Sequence, residues 1–144
     1  MKKITKKNNK GFSLVELIVV VLIMAIIAVS LAPQVMKWVD RSRQANDASN
    51  YDALVAAAQL SVLVQAAPED KDITITMSKN ADIAIACADT TAETNFKNAM
   101  LKNLPSYASI RITSTSVGDS ETYQITIDGT EIKRNDPPAT ISAD

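Results

Sequence analysis

A carboxylate inside an apolar stretch is the feature of this sequence with the clearest chemical consequence. Between Phe12 and Met36 the single charged residue is Glu16. A charged side chain within a membrane helix costs about 2.5–3.5 kcal/mol on insertion scales, so Glu16 needs a partner. A cut between Gly11 and Phe12 would create an α-amine four residues before this carboxylate. Staggered copies of the helix could then pair the amine of one copy with the glutamate of the next.

Few other residues of the sequence suggest catalysis or ligand binding. The chain has no histidine, the commonest general base and metal ligand, and its 3 glycines form no phosphate-binding loop. We expect its one cysteine, Cys87, to be a buried small apolar residue, with an intermolecular bridge or a reactive thiol as the alternative. Asp119, Glu121 and Asp128 read as a solvated hairpin face, since they lack the ligand density of a calcium site. The sequence therefore predicts no enzyme activity, no cofactor and no metal site.

Charge is distributed unevenly along the chain. Five lysines and no acidic residue lie in the first ten positions: Lys2, Lys3, Lys6, Lys7 and Lys10. Without that segment the 15 basic residues fall to 10, against 16 acidic residues, a formal charge of −6. Because phosphate binding needs clustered Lys and Arg, nucleic acid is a poor partner for such a chain, although a local basic strip would still allow it.

Residues 12–32 would form a helix of roughly 31 Å, about one hydrocarbon thickness. The lysines before it favour a cytoplasmic N-terminus. Three interpretations compete: a plain membrane anchor, a secretory signal cleaved near Ala28-Val29-Ser30, or a leader cut after Gly11. Neither of the first two provides a partner for Glu16, so that residue favours the third.

Helical sequence resumes directly after Pro33. Apolar or small residues recur at three- and four-residue spacing, which predicts an amphipathic helix with one face on a globular head. This stripe comprises Val35, Val39, Tyr51, Leu54, Val55, Ala58 and Val62. We predict a helix from Phe12 to about Ala67 that is kinked near Pro33 and stopped by Pro68.

The remainder has the pattern of a small β-sheet. Strands are predicted at residues 72–77, 83–87, 108–114, 122–128 and 130–134, the last three as an antiparallel meander on the long helix. Asp128-Gly129 predicts a hairpin turn. Thr90 and Glu93 form the pattern of a capping box that opens a short helix, ended by Pro105, whose apolar side is Phe96, Met100, Leu101 and Leu104.

The segment Lys10-Gly11-Phe12-Ser13-Leu14-Val15-Glu16-Leu17 resembles the class III signal of type IV pilins and pseudopilins. The resemblance implies cleavage between Gly11 and Phe12 by a prepilin peptidase, N-methylation of Phe12, and Glu16 as the assembly residue. Pro33 lies where many pilins carry a helix proline. Such proteins often close the C-terminal region with a disulfide, which one cysteine cannot form, so we expect a head held by packing and sheet pairing alone.

Together these patterns predict an α+β, pilin-like fold: a long N-terminal helix packed on a small antiparallel sheet. The expected parts are a leader (1–11), a membrane and filament-core helix (12–36), its amphipathic half (37–67), a head (68–134) and a tail (135–144). The predicted function is self-assembly into an extracellular helical filament from a single-pass cytoplasmic-membrane precursor, with a prepilin peptidase and an inner-membrane assembly platform as partners. A pseudopilin of a secretion or DNA-uptake system and a membrane-tethered binding domain remain alternatives.

Overall fold

The computed structural model describes residues 11–64 and 72–135. Its elements are helix α1 (Leu14–Val64), strands β1 (Ile73–Ser78) and β2 (Ala84–Cys87), helix α2 (Thr90–Asn103), a 3-10 turn (Tyr107–Ser109), and strands β3 (Thr122–Asp128) and β4 (Glu131–Asn135). The predicted α+β class, with a long N-terminal helix and a small antiparallel sheet, is confirmed. The chain divides into two compact units, Met1–Lys37 and Trp38–Asp144, of which the second is called the head unit here.

Pro33 lies inside α1, so the helix does not end there. The predicted kink at that residue stays a prediction. The apolar stripe is confirmed from Tyr51 onward, but its first two members are exposed, Val35 by 54% and Val39 by 37%. That part of the prediction is wrong, and residues 40–47 instead bond to the rest of the head unit through the polar side chains of Asp40, Gln44 and Asp47.

The sheet has the order β2-β1-β3-β4 with every pair antiparallel. Alternate residues are buried, as a strand covered on one face requires. Three strands supply Ile73, Ile75, Met77, Ile85, Ile125 and Ile127, and α1 supplies Tyr51, Leu54, Val55, Ala58 and Val62 to the same core. Full burial of such a large apolar side chain contributes about 1.5–3 kcal/mol, so this shared core holds α1 against the sheet.

The predicted meander is confirmed for its last two strands, β3 and β4, and is wrong for the first pairing. Strand β3 pairs with β1 through Ile75↔Ile125 and neighbouring residues, and not with the strand before it in sequence. Helix α2 and the segment after it carry the chain from β2 past β1 to the opposite edge of that strand. Because the connection from β2 to β3 is long and includes a helix, β3 need not pair with β2, the strand that precedes it in the sequence.

Residues 108–114 form no strand, contrary to prediction. A 3-10 turn occupies Tyr107–Ser109, and the Ile112 N–H donates to the Ser78 carbonyl of β1 at 3.1 Å. The N–H groups of Thr113 and Ser114 donate to the carboxylate of Asp47 in α1. Because those donors are occupied by a side chain, they cannot join a strand ladder.

The N-cap of helix α2 lies one residue before the predicted one. Asp89 is its N-cap, and its carboxylate accepts from Thr91 N at 2.9 Å and Ala92 N at 3.1 Å. The Glu93 carboxylate instead accepts from Cys87 N and from Lys97, so Thr90 as the N-cap is a wrong prediction. An aspartate at this position is as strong an N-cap as threonine or stronger, which explains the shift.

The apolar side of α2 is confirmed in part. Phe96 and Met100 are buried, Leu104 packs against the core as the C-cap, and Leu101 is 46% exposed. The helix ends at Asn103, before Pro105, as predicted.

The hairpin at Asp128-Gly129 is confirmed. Asp128 pairs with Glu131 across a two-residue turn, and Gly129 has φ +58°, a backbone conformation that strongly favours glycine. Strands β1 to β4 fall within one residue of their predicted ends. The lysine-rich leader before Gly11, the stop at Pro68 and the tail after Asn135 lie outside the described residues, and Asn135 itself closes β4.

Candidate processing and assembly site

The predicted cleavage bond lies just before the long helix. Gly11 and Phe12 are in non-helical backbone ahead of Leu14, and both are exposed, Phe12 by 86%. A Cβ added to Gly11 would meet no heavy atom within 4 Å of it among the described residues. A peptidase active site could therefore reach this bond without unfolding the helix.

Glu16 makes a local contact that the sequence reasoning missed. Its Oε2 accepts from the backbone N–H of Ser13 at 3.3 Å, while Leu17 N donates to the Ser13 carbonyl at 3.2 Å. Ser13 thus stands at the N-cap and Glu16 at the third helical position, half of a capping box. The S-x-x-E spacing in Ser13–Glu16 was the available signal. The contact satisfies one of the four N–H groups that a helix start leaves without a partner.

The surroundings of Glu16 are apolar and open. Every residue from Phe12 to Trp38 is exposed, including all the large apolar ones. Within residues 11–64 and 72–135 no cationic side chain forms a salt bridge with Glu16. Its carboxylate is therefore available to a cation from outside the described chain. Helix α1 is long and apolar enough to cross a membrane by length and composition.

Residues 6–32 match the family model described as the prokaryotic N-terminal methylation motif. The chain carries the class III signal of type IV pilins and pseudopilins. The match covers 27 of the 144 residues and includes Gly11, Phe12 and Glu16. The chain shows no significant match to a curated protein and none to a solved structure.

A prepilin signal implies processing by a prepilin peptidase and pilus-type assembly. With the apolar helix it fits a membrane-anchored precursor. The individual roles of Gly11, Phe12 and Glu16 stay predictions, because a motif match identifies the segment and measures none of these roles.

In the head unit of this pilin-like precursor, two carboxylates of α1 bind one loop. Asp47 is fully buried, and it accepts from Thr113 N at 2.9 Å and 3.0 Å, from Thr113 Oγ1 at 2.7 Å and from Ser114 N at 2.9 Å. Asp40, two helical turns earlier, accepts from Thr115 N at 2.6 Å and from the Ser116 hydroxyl. Residues 113–116 are called the clasped loop below.

Hydrogen bonding stabilises the charged form of Asp40. The hydroxyl of Ser116 first, and then that of Thr115, hold the pKa of the Asp40 carboxyl far below its ordinary value, and desolvation offsets this only in part. Gln44 adds a bond to Asp40 at 3.1 Å and one to the Ser116 hydroxyl at 3.0 Å. Neither aspartate was singled out from the sequence, because an acidic residue on a helix usually faces solvent.

The three carboxylates considered for a calcium site each bond to a different partner. Asp119 pairs with Lys79 at 3.1 Å, Asp128 with Lys133 at 3.2 Å, and Glu121 accepts from Gly118 N at 3.1 Å. The described part of the chain contains no group of three or more His, Cys, Asp or Glu side chains placed to hold a metal ion.

Cys87 is a free thiol and half-buried. It packs against the edge of the core, so the expected full burial is only partly met. Among the described residues, side chains of Asp40, Gln44 and Asp47 bond the loop before β3 to α1.

Proposed function

We propose that the mature chain is a structural, non-catalytic subunit of a type IV pilus-like extracellular filament. The observation that carries the proposal is Glu16, a lone carboxylate within the prepilin signal, in a helix whose large apolar side chains from Phe12 to Val39 are exposed. Because a long exposed apolar helix is unfavourable in water, it would be surrounded by lipid before assembly and by other copies of the same helix afterwards.

Charge pairing would give this assembly its register. Cleavage after Gly11 turns the amide nitrogen of Phe12 into a cationic amine, and Glu16 lies one helical turn further on. In the precursor the Glu16 carboxylate accepts from Ser13 N, so on assembly it would exchange a neutral donor for a charged one. Removing one partner of a buried ion pair typically costs about 3–5 kcal/mol, which is enough to exclude a subunit from the filament.

The machinery is proposed from the same resemblance. A prepilin peptidase would cut and methylate the chain, an inner-membrane platform would lift subunits out of the bilayer, and a separate cytoplasmic ATPase would supply the energy. The chain itself contributes the helix, the carboxylate and the head. Adhesion and motility are roles that filaments of this kind can serve, and they depend on what the head contacts.

A pseudopilin of a secretion or DNA-uptake system is the second candidate, because the prepilin signal is common to both. Abundant surface filaments containing this chain, seen by electron microscopy with a labelled head, support the pilus subunit. Processed chain confined to the cell envelope supports the pseudopilin.

The decisive experiment is Glu16→Ala in cells that make filaments, with Glu131→Ala as the matched control because Glu131 is an exposed carboxylate on β4. We expect Glu16→Ala to be processed, stable and absent from sheared filaments, and Glu131→Ala to assemble normally. Filaments of normal yield from Glu16→Ala would refute the pairing role.

A further inference from the structure

Trp38 is an exposed aromatic residue without a role in the function proposed so far. Its side chain is 71% exposed, whereas Tyr51, Phe96 and Tyr107 are each less than a tenth exposed in the core of the head unit. A tryptophan presents roughly 150–250 Å² of surface, most of it apolar, so leaving it in water is unfavourable. We therefore expect Trp38 to contact a molecule outside the described chain.

Basic residues surround Trp38 in the sequence. Arg41 and Arg43 are exposed, and within residues 11–64 and 72–135 neither forms a salt bridge or a hydrogen bond to a side chain. With Lys37, and with Asp40 as the one acid between them, the segment 37–43 has a formal charge of +2 in a mature chain of charge −6. The Asp40 carboxylate is engaged by the clasped loop.

In a precursor whose leader lysines lie in the cytoplasm, these cations would stand on the far side of the membrane, where the positive-inside rule does not expect them. The positive-inside rule places Lys and Arg on the cytoplasmic side, and the leader lysines satisfy it. Basic residues just beyond the far end of the span weaken that contrast. Their presence needs another physical reason, and an anionic surface provides one.

The distance from the apolar stretch matches a bilayer interface. Trp38 follows Ala32, the end of the 21-residue apolar stretch, by six positions, or roughly 9 Å of helical rise. Each polar headgroup layer is roughly 5–8 Å thick, and helical side chains lean toward the N-terminus, which brings the ring back toward this layer. Tryptophan is enriched at this depth, and Arg41 and Arg43, which follow it along the helix, have long side chains that can extend back toward the headgroups.

We infer that Trp38, Arg41 and Arg43 form an interfacial anchor that binds the anionic lipid headgroups of the leaflet on the head side of the membrane. This inference rests on the membrane-anchored precursor of the proposed function. The indole lies in the headgroup layer, and the two guanidinium groups bind lipid phosphates. The anchor limits how far the precursor slides along the membrane normal before cleavage.

Trp38 is the only tryptophan of the chain, so its fluorescence reports this site alone. The full-length precursor is placed at one copy per lipid nanodisc, with bromine atoms on the lipids either near the headgroup or at the acyl-chain end. We expect stronger quenching by bromine near the headgroup. Water-like emission that neither lipid quenches, or stronger quenching by the chain-end bromines, would overturn the anchor.

The binding of anionic headgroups by the arginines is tested by comparing quenching of Trp38 by brominated phosphatidylglycerol and by brominated phosphatidylcholine at equal mole fraction. We expect several-fold preferential quenching by phosphatidylglycerol, at most roughly thirty-fold for two arginines. The double variant Arg41→Gln/Arg43→Gln should bring this preference close to one. Lys102→Gln, which removes an exposed cation far along the chain on α2, should leave it unchanged.

A lack of preference in the parent chain, or an unchanged preference in the double variant, would contradict lipid binding by the arginines. Shielding of Trp38 that rises with the number of copies per disc and ignores bromine would assign the surface to a second copy and overturn the lipid assignment. Tyrosine near-ultraviolet circular dichroism checks the fold of each variant. If the anchor fails while Glu16→Ala still blocks assembly, the anchor alone is wrong.

Discussion

Asp47→Ala should destabilise the head unit strongly, because the carboxylate is the sole acceptor shown for three donors of the clasped loop. Thr113 N, Thr113 Oγ1 and Ser114 N all bond to Asp47. Ser114 is fully buried, so its N–H would lose its acceptor away from water, at about 1–3 kcal/mol. Thr113 is exposed and its two donors can turn to water, which adds about 1 kcal/mol. The expected loss is therefore about 2–4 kcal/mol.

The assay is thermal unfolding of the full-length chain in detergent micelles, followed by near-ultraviolet circular dichroism of the tyrosines, all of which lie in the head unit. At about 4 °C per kcal/mol for a domain of this size, the melting temperature should fall by about 8–16 °C. Asp52→Ala is the matched control. It removes a carboxylate from the same helix that is 62% exposed and pairs with Arg134 at 3.0 Å, so it should cost less than about 1 kcal/mol.

Hydrogen exchange identifies the amides that Asp47→Ala destabilises. The amides of Thr113 and Ser114 should exchange faster in Asp47→Ala, while those in the β1–β3 ladder follow the overall stability. A melting temperature for Asp47→Ala that matches that of Asp52→Ala would refute the reasoning, since it would mean that the loop finds other acceptors at no cost.

Three further perturbations follow from single sites. The pKa of Asp40 is lowered in the folded chain, so its bonds stabilise the fold above pH about 4 and are lost as the pH falls toward the pKa of the folded state. The difference in melting temperature between the parent and Asp40→Asn should therefore shrink between about pH 4 and pH 2. A difference that is constant over this range would count against the assigned bonding. Gly129→Ala should cost about 1–2 kcal/mol in urea unfolding because of its φ of +58°. Gly118→Ala, whose Cβ would have its nearest contacts at 3.6 Å, in the flexible Glu121 side chain, should change stability by less than about 0.5 kcal/mol. Gly11→Ala should fold normally, since its Cβ meets nothing within 4 Å, and should accumulate uncleaved by mass spectrometry; cleaved chain would show that the peptidase does not require the glycine.

Local patterns in the sequence predicted the elements that depend on local physics. The alternation in β1 and β3 and the turn at Gly129 each involve neighbouring residues, so their positions could be predicted closely. The prepilin segment is also contiguous, which explains why Gly11, Phe12 and Glu16 could be singled out before the fold was known.

Features that join distant residues could not be predicted in this way. Asp47 and Thr113 are 66 positions apart, and Asp40 and Thr115 are 75 apart. Residues 108–114 have the composition of a strand, but carboxylates from α1 take the backbone donors that a neighbouring strand would use. No periodicity within either segment indicates that pairing, so both the loop and the exposure of Val39 were beyond sequence reasoning.

The mass of the mature N-terminus tests the central claim most directly. Filaments or membranes from cells that make this chain would be digested, and the N-terminal peptide identified by mass spectrometry. The account predicts a chain that begins at Phe12 with one added methyl group on its amine. An intact segment from Met1 to Gly11 would contradict it, and a chain that begins at Leu31 would indicate ordinary secretion instead.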